Sequence, residues 1–355
     1  MKTTAQYLMF LCVMAVMTAA GAQSKKVYQW RIAETWPADF PMFGDANRMM
    51  MQYARELSAG RLIISSDTKE VHKRPLEVLD MVQSGEYQMG HSASYYWRDK
   101  DVNTVFFTSL PFGMITPEMQ AWFYEGGGLE LMQKTYAKHG VYSFPGGNSG
   151  NQMSGWFRKR INSLDDMKGL RMRLPGLAGD VMQDLGVETV NIPAGELYAA
   201  LEAGKIDAVE WVGPSMDVDM RFSEIASFYY TGWHEPGTEL QFLVNQDAYN
   251  ALPEDLQYVL KTAMRLAAYD AYTLMMHTSS LKLRELRTQY PNIKIQAFPP
   301  DVMTALKRST AKKIKELAAR GGLTQEIADS VTAYQEQIRL WTRIGDQAYL
   351  NNTGL

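Results

Sequence analysis

The chain is almost without cysteine: Cys12 is its single thiol among 355 residues. An intramolecular disulfide is therefore excluded, and so is any site built on paired thiolates. Histidine is scarce too. His72, His91, His139, His234 and His277 never fall three to five residues apart, and no H-E-x-x-H occurs, so the sequence offers no zinc motif. There is no run of basic residues; 36 Lys and Arg stand against 39 Asp and Glu. A nucleic-acid partner would leave a basic footprint, and none is present. No Walker loop or G-x-G-x-x-G follows a strand pattern, and Gly147-Asn148-Ser149-Gly150-Asn151 lacks the last glycine of a nucleophile elbow. That segment reads as a polar turn rather than a catalytic serine.

The apolar content is ordinary for a globular protein, at 46%, and the length suggests two domains. After Lys2 the residues from Leu8 to Ala20 are apolar except Thr18. This run is too short for a bilayer, which needs about 20 residues, and it ends in Ala20-Gly21-Ala22. A basic start, a short apolar stretch and an A-x-A site read as a secretory signal peptide over residues 1–22. Cys12 leaves with it. The mature chain is expected to be a soluble exported protein, periplasmic in a cell with two membranes.

Strand and helix patterns alternate along the rest. Strands are expected at Val27–Ala33, Arg61–Ser66, Tyr87–Ser92, Gln152–Phe157, Leu170–Leu174, Glu188–Ile192, Ile206–Trp211, Phe228–Trp233, Leu240–Asn245 and Asn292–Phe298. Helices are expected at Phe43–Leu57, Arg74–Gln83, Ala178–Leu185 and Gly195–Ala203. A further helix begins near Pro117 and is interrupted by a turn at Gly126-Gly127-Gly128. One long helical stretch runs from Pro253 to Tyr290, and two more cover Asp301–Arg320 and Leu323 to about Tyr349. The pattern is that of an α/β protein with two discontinuous lobes and a helical C-terminal layer. Residues 23–145 fall mainly in the first lobe, 146–250 mainly in the second, and 251–355 form the long helix, a returning strand and the terminal helices.

Two strand ends carry charge. In Leu170-Arg171-Met172-Arg173-Leu174 a period of two puts Arg171 and Arg173 on one face, with Arg173 at the carboxyl end before Pro175-Gly176. Open α/β sheets bind ligands beyond the carboxyl ends of their strands, and a guanidinium there can grip a carboxylate through two hydrogen bonds. Taken alone, such an arginine is more often half of a surface salt bridge. In Ile206-Asp207-Ala208-Val209-Glu210-Trp211, alternation assigns Glu210 and Asp207 to opposite faces. A glutamate ending a largely apolar strand is costly if buried, and a hard cation would offset the cost. A capping or solvent-facing Glu210 is the plainer reading. His234, between Trp233 and Glu235, reads as structural.

In order and spacing these pieces resemble the solute-binding proteins of tripartite ATP-independent periplasmic (TRAP) transporters, of the dicarboxylate-binding-protein type. The resemblance spans about Trp30 to Lys315. It rests on Glu34-Thr35-Trp36-Pro37, Tyr95-Tyr96-Trp97, Leu110-Pro111-Phe112-Gly113, Gly147-Asn148-Ser149-Gly150-Asn151-Gln152, Gly169-Leu170-Arg171-Met172-Arg173, Pro193 to Leu201, and Gly204-Lys205-Ile206-Asp207-Ala208-Val209-Glu210-Trp211. It implies a two-lobed periplasmic binding protein, hinged around a cleft, with long C-terminal helices crossing both lobes. It implies that Arg173 pairs with a ligand carboxylate. In the branch that binds 2-oxo and 2-hydroxy acids, it also implies a sodium or calcium ion held by the side chains of Gln152 and Glu210 and the carbonyl of Trp211. Tyr95 or Tyr96, Asn148 and Glu235 match other pocket positions. The implied partners are a small carboxylate and the membrane subunits of the transporter, with a second copy of the chain docking through the C-terminal helix in some members. Trp36, Tyr95, Tyr96, Trp211 and Trp233 are candidates for the cleft wall. The competing class is an exported metal-dependent hydrolase or lyase using Glu210, which turnover of a bound acid would reveal. A sensory binding protein with the same pocket is a third option.

Overall fold

In a computed structural model the described residues are 26–353, other than 39, 191 and 193. The expected leader at residues 1–22 therefore lies outside them. Two mixed sheets organise the chain. The first joins β1 (Tyr28–Glu34), β2 (Leu62–Asp67), β3 (Met89–Ser92), β4 (Val141–Asn148) and β10 (Glu239–Asn245) in the order β2-β1-β3-β10-β4. The second joins β5 (Gly155–Phe157), β6 (Arg171–Arg173), β7 (Glu188–Val190), β8 (Ala208–Val209), β9 (Phe228–Tyr230) and β11 (Lys294–Gln296) in the order β11-β9-β5-β8-β6-β7.

β1, β2 and β3 run parallel, and β10 lies antiparallel between β3 and β4. β10 thus belongs to the first sheet, so the chain leaves the second lobe before residue 250. It passes between lobes at 148–155 and again at 230–239. β4 is a strand that sequence patterning misses, because Pro145-Gly146-Gly147 reads as a breaker. Here the glycine serves packing: a Cβ on Gly146 would sit 2.6 Å from the Gln241 backbone on the facing strand.

Several expected strands are shorter in the structure. Gln152–Phe157 is a strand only from Gly155, because the backbone N–H groups of Gln152, Met153 and Ser154 bond to Glu235, Val212 and Tyr230 instead of forming a ladder. Gly155 has φ +99, and a Cβ there would lie 2.3 Å from the Val209 carbonyl oxygen, so only glycine admits β5 against β8. Ile206–Trp211 reduces to Ala208–Val209, so alternation does not hold at its ends. The Gly126-Gly127-Gly128 turn separates two helices, α1 (Thr116–Glu125) and α2 (Gly128–Ala137).

The helical layer fits the expectation. α3 (Glu254–Gln289) spans 36 residues, about 54 Å at 1.5 Å per residue. Its Leu256, Leu260 and Ala263 enter the apolar core under the first sheet, Ala271 and Met275 enter a cluster at the cleft, and Leu286 enters the core of the second lobe. α4 (Pro300–Ala318) covers the second lobe with Val302 and Leu306, and α5 (Gly322–Thr342) returns to the first with Ile327, Ala328 and Val331. Beyond Thr342 the helix loosens to π geometry over Arg343–Gln347 before a last turn at Ala348–Asn352.

One buried titratable group joins the first lobe to the cleft. His91 on β3 is fully buried; its Nδ1 accepts from Trp36 Nε1 and Asn47 Nδ2, each at 3.1 Å, and its Nε2–H donates to the Gly146 carbonyl at 2.9 Å. Burial pushes its pKa down to about 4. The unfolded chain therefore takes up a proton near pH 6.5 that the folded chain refuses until about 4. Stability from this group is complete above about pH 6.5 and falls by up to about 3 kcal/mol as the pH drops through that window. Urea unfolding at pH 7, 5.5 and 4.5 should show the fall and a shallower one in His91→Gln; equal slopes in the two proteins would contradict the assignment.

Candidate functional site

Arg173 and Glu210 stand 37 residues apart in sequence, on neighbouring strands. β6 and β8 run parallel with Arg173 opposite Val209, so Glu210 emerges one residue beyond its partner. The guanidinium Nη1 donates to the Glu210 carboxylate at 2.9 Å and to its backbone carbonyl at 2.7 Å. Both side chains are nearly excluded from solvent, at 11% and 3% exposure. Arg171, one strand repeat earlier, makes the corresponding pair with Asp207 at the surface. The two carboxylates that strict alternation puts on opposite faces thus both bond arginines of β6, because β8 is only two residues long. The plainer readings also separate: Arg171 is the surface salt bridge, whereas Arg173 and Glu210 are a buried one.

The buried pair borders a cavity of about 40 Å³ between the lobes. Tyr95, Tyr96, Gln152, Arg173, Glu210, Trp211 and Glu235 all line it, with Trp36. Seven of the residues singled out in the sequence for ligand or cation thus converge. Both tyrosines face the space, their rings 4.8 Å apart, edge to face; burial raises the pKa of each, and both hydroxyls stay protonated. Asn148 does not line the cavity. Its amide is committed to Glu239 at 2.9 Å, Thr116 at 2.7 Å and the Gly150 N–H at 2.8 Å, where it shapes the crossing between lobes. Trp233 packs on Phe112, at 5.6 Å, and stands outside the wall too. Phe43, Pro175, Val212, Thr238 and Leu240 complete the lining and carry no signal in the sequence beyond apolar or turn character.

The unsatisfied atoms show what the cavity is suited to hold. Arg173 Nη1 is taken by Glu210, while its Nε is buried without a partner among the described residues. That leaves one edge of the guanidinium for a second acceptor. Gln152 spends its amide nitrogen on Ser149 Oγ at 2.9 Å, which leaves its carbonyl oxygen as the side chain's remaining donor atom for a cation. The carbonyls on either side of Trp211 are occupied: Glu210 O by Arg173 and Val212 O by the Met153 N–H. The second Glu210 oxygen lies 3.4 Å from Nε2 of the buried His234. Burial disfavours charge on His234, and Glu210 beside it more than compensates, so its pKa is raised. Glu235 accepts from Thr238 at 2.8 Å, and burial raises its pKa. An amide oxygen, a carboxylate and a backbone carbonyl are the donors of a hard, oxygen-seeking cation, so the residues present fit sodium or calcium.

Residues 32–320 match the family model described as bacterial extracellular solute-binding protein, family 7. A protein of Nostoc sp. (strain PCC 7120), a monocarboxylate 2-oxoacid-binding periplasmic protein, is 37% identical over 91% of this chain and 88% of its own. A TRAP periplasmic solute-binding protein of Colwellia psychrerythraea, with bound calcium and pyruvate, is 56% identical with TM-score 0.90, over 92% of this chain and 100% of that one. A second, of Pseudoalteromonas atlantica T6c, with bound sodium and pyruvate, is 55% identical with TM-score 0.88, over 92% and 99%.

Removing one partner of a buried pair strands the other charge, at a cost of about 3–5 kcal/mol. Arg173→Met should therefore lower stability by that order in metal-free buffer, and Glu210→Gln in the same chain should restore much of it. Urea denaturation of both singles and the double mutant measures this; a loss below about 1 kcal/mol, or no recovery, would contradict the pairing.

Proposed function

Because the chain belongs to the bacterial extracellular solute-binding proteins of family 7, we propose that it captures a small 2-oxo acid such as pyruvate, together with sodium or calcium, and delivers it to the membrane subunits of a TRAP transporter. The family consists of periplasmic binding proteins, so the chain is not an enzyme, and the hydrolase or lyase alternative has no support. No helix among the described residues is long and apolar enough to cross a membrane.

One observation carries the reading of the ligand. Arg173 is already paired with Glu210 at 2.9 Å. A ligand carboxylate entering there finds the arginine charge already spent on that partner. A cation on Gln152, Glu210 and the Trp211 carbonyl would supply another, and a 2-oxo acid can chelate that cation through a carboxylate oxygen and the oxo group together. The chain's own residues do the rest: Arg173 presents its free edge to the carboxylate, the tyrosines donate hydroxyls, and Trp36 and Trp211 exclude water. A lysine at 173 would keep the charge but lose the planar fork. The small cavity supports a ligand of few atoms over a sugar acid.

Calorimetric titration of pyruvate into protein freed of metal, then with calcium or sodium restored, tests this. Pyruvate affinity should need the cation. Glu210→Gln should weaken both together, because the coupling is reciprocal. Arg173→Lys and Arg173→Ala should each lose roughly two to four decades of pyruvate affinity. Equal pyruvate affinity with and without cation would reject the bridged site, and near-normal binding by Arg173→Ala would reject the arginine.

The terminal helix supports self-association. Leu340, Trp341, Ile344, Tyr349 and Leu350 are 63–73% exposed, an apolar stretch that a second copy would cover. Light scattering should give a dimer that Trp341→Glu with Ile344→Glu converts to monomer; a monomeric parent protein would dismiss it.

A further inference from the structure

Behind the cavity wall lies a buried carboxylate that binding itself does not use. Asp217 is fully buried. Its Oδ1 accepts the backbone N–H groups of Val212 at 3.0 Å and Gly213 at 2.9 Å; its Oδ2 accepts Trp156 Nε1 at 3.1 Å and the Tyr229 hydroxyl at 2.8 Å. Trp156 and Tyr229 are themselves stacked, 4.0 Å between ring centroids at 18°, in the core of the second lobe. Asp217 is therefore anchored on one side to rigid aromatic core and holds the 212–213 backbone with the other.

The Val212 N–H belongs to the same peptide unit as the Trp211 carbonyl. That unit is trans, since the described residues contain no cis bond, and a trans peptide is planar with N–H and C=O pointing oppositely. Fixing the N–H on Asp217 thus fixes the carbonyl away from the core. The flanking carbonyls of Glu210 and Val212 are held by Arg173 and Met153, so the neighbouring peptides cannot swing to compensate. Glu210, Trp211 and Val212 all line the cavity. A carboxylate that accepts from an amide also polarises it and strengthens its oxygen as a donor to a cation.

We propose that Asp217 is a positioning residue for the cation: it aims and polarises the Trp211 carbonyl through the Val212 N–H. This rests on the reading that the Trp211 carbonyl is a cation ligand. Asp217 touches neither acid nor cation, and its effect should pass through cation affinity alone.

The experiment titrates calcium, and sodium in a separate series, into full-length mature protein with pyruvate present, for the parent protein, Asp217→Asn and Tyr229→Phe, with thermal unfolding recorded for each. Asp217→Asn keeps the volume but replaces one acceptor oxygen by an amide nitrogen that cannot accept from the Trp156 indole or the Tyr229 hydroxyl. Cation affinity should fall roughly 10–100-fold, and pyruvate affinity should return to the parent value once the cation is raised to saturation. Tyr229→Phe leaves the carboxylate and removes one anchor; a smaller loss in the same direction is expected, and it decides the matter if Asp217→Asn does not fold. A parent protein that needs the cation, with both variants within twofold of it, overturns the role of Asp217 and leaves the cation site standing. A pyruvate affinity that stays low in Asp217→Asn at saturating cation overturns it too, since that marks general damage to the lobe. Pyruvate binding by the parent protein that ignores both cations overturns the cation reading and this inference together.

Discussion

The Arg173–Glu210 pair is the constraint around which the site is arranged. Two opposite charges nearly excluded from water are tolerable only when each satisfies the other, and here the satisfaction is deliberate in its geometry: one nitrogen serves both the carboxylate and the carbonyl of Glu210. The pair depends on β6 and β8 running side by side, and that depends on Gly155 letting β5 approach β8 on its other edge. On the function proposed above, a cation enters with the acid because Glu210 already occupies the arginine.

Much of this was legible in the residues. The alternation of strand and helix patterns gives the α/β class, and the long apolar periodicity after Pro253 gives the helix that enters the cores of both lobes. Arg173 and Glu210 each stand out as charge at a strand end. Their contact does not, because pairing of strands distant in sequence leaves no local signal. Alternation fails for Asp207 and Glu210 because a two-residue strand cannot impose its period on residues outside it. β4 is hidden by Pro145 and two glycines; Gly146 serves close approach to the Gln241 backbone, and Gly147 takes φ +124. Asn148, singled out by motif, is used for the crossing between lobes instead of the cavity wall. Asp217 carries only the signal of an acid after Gly213-Pro214, which describes many helix starts.

The lobes divide the labour. The first contributes the aromatic wall of Trp36, Tyr95 and Tyr96, braced from below by the His91 hydrogen bonds. The second contributes Arg173, Glu210 and Trp211 to the lining, braced by Asp217 and the stacked Trp156 and Tyr229. Gln152 and Glu235 come from the two crossings, joined by the Gln152 N–H to the Glu235 carbonyl at 2.9 Å. A ligand touching all three groups would tie the lobes and the crossings into one unit.

The most direct measurement is a crystal structure of the mature protein with pyruvate and calcium, with the ion located by anomalous scattering. The account predicts one peak at about 2.3–2.6 Å from Gln152 Oε1, the Glu210 carboxylate and the Trp211 carbonyl, with pyruvate bridging that ion and the free edge of Arg173. Pyruvate seated on Arg173 with no ion beside it, or an ion bound away from Glu210, would contradict the charge balance proposed for the site.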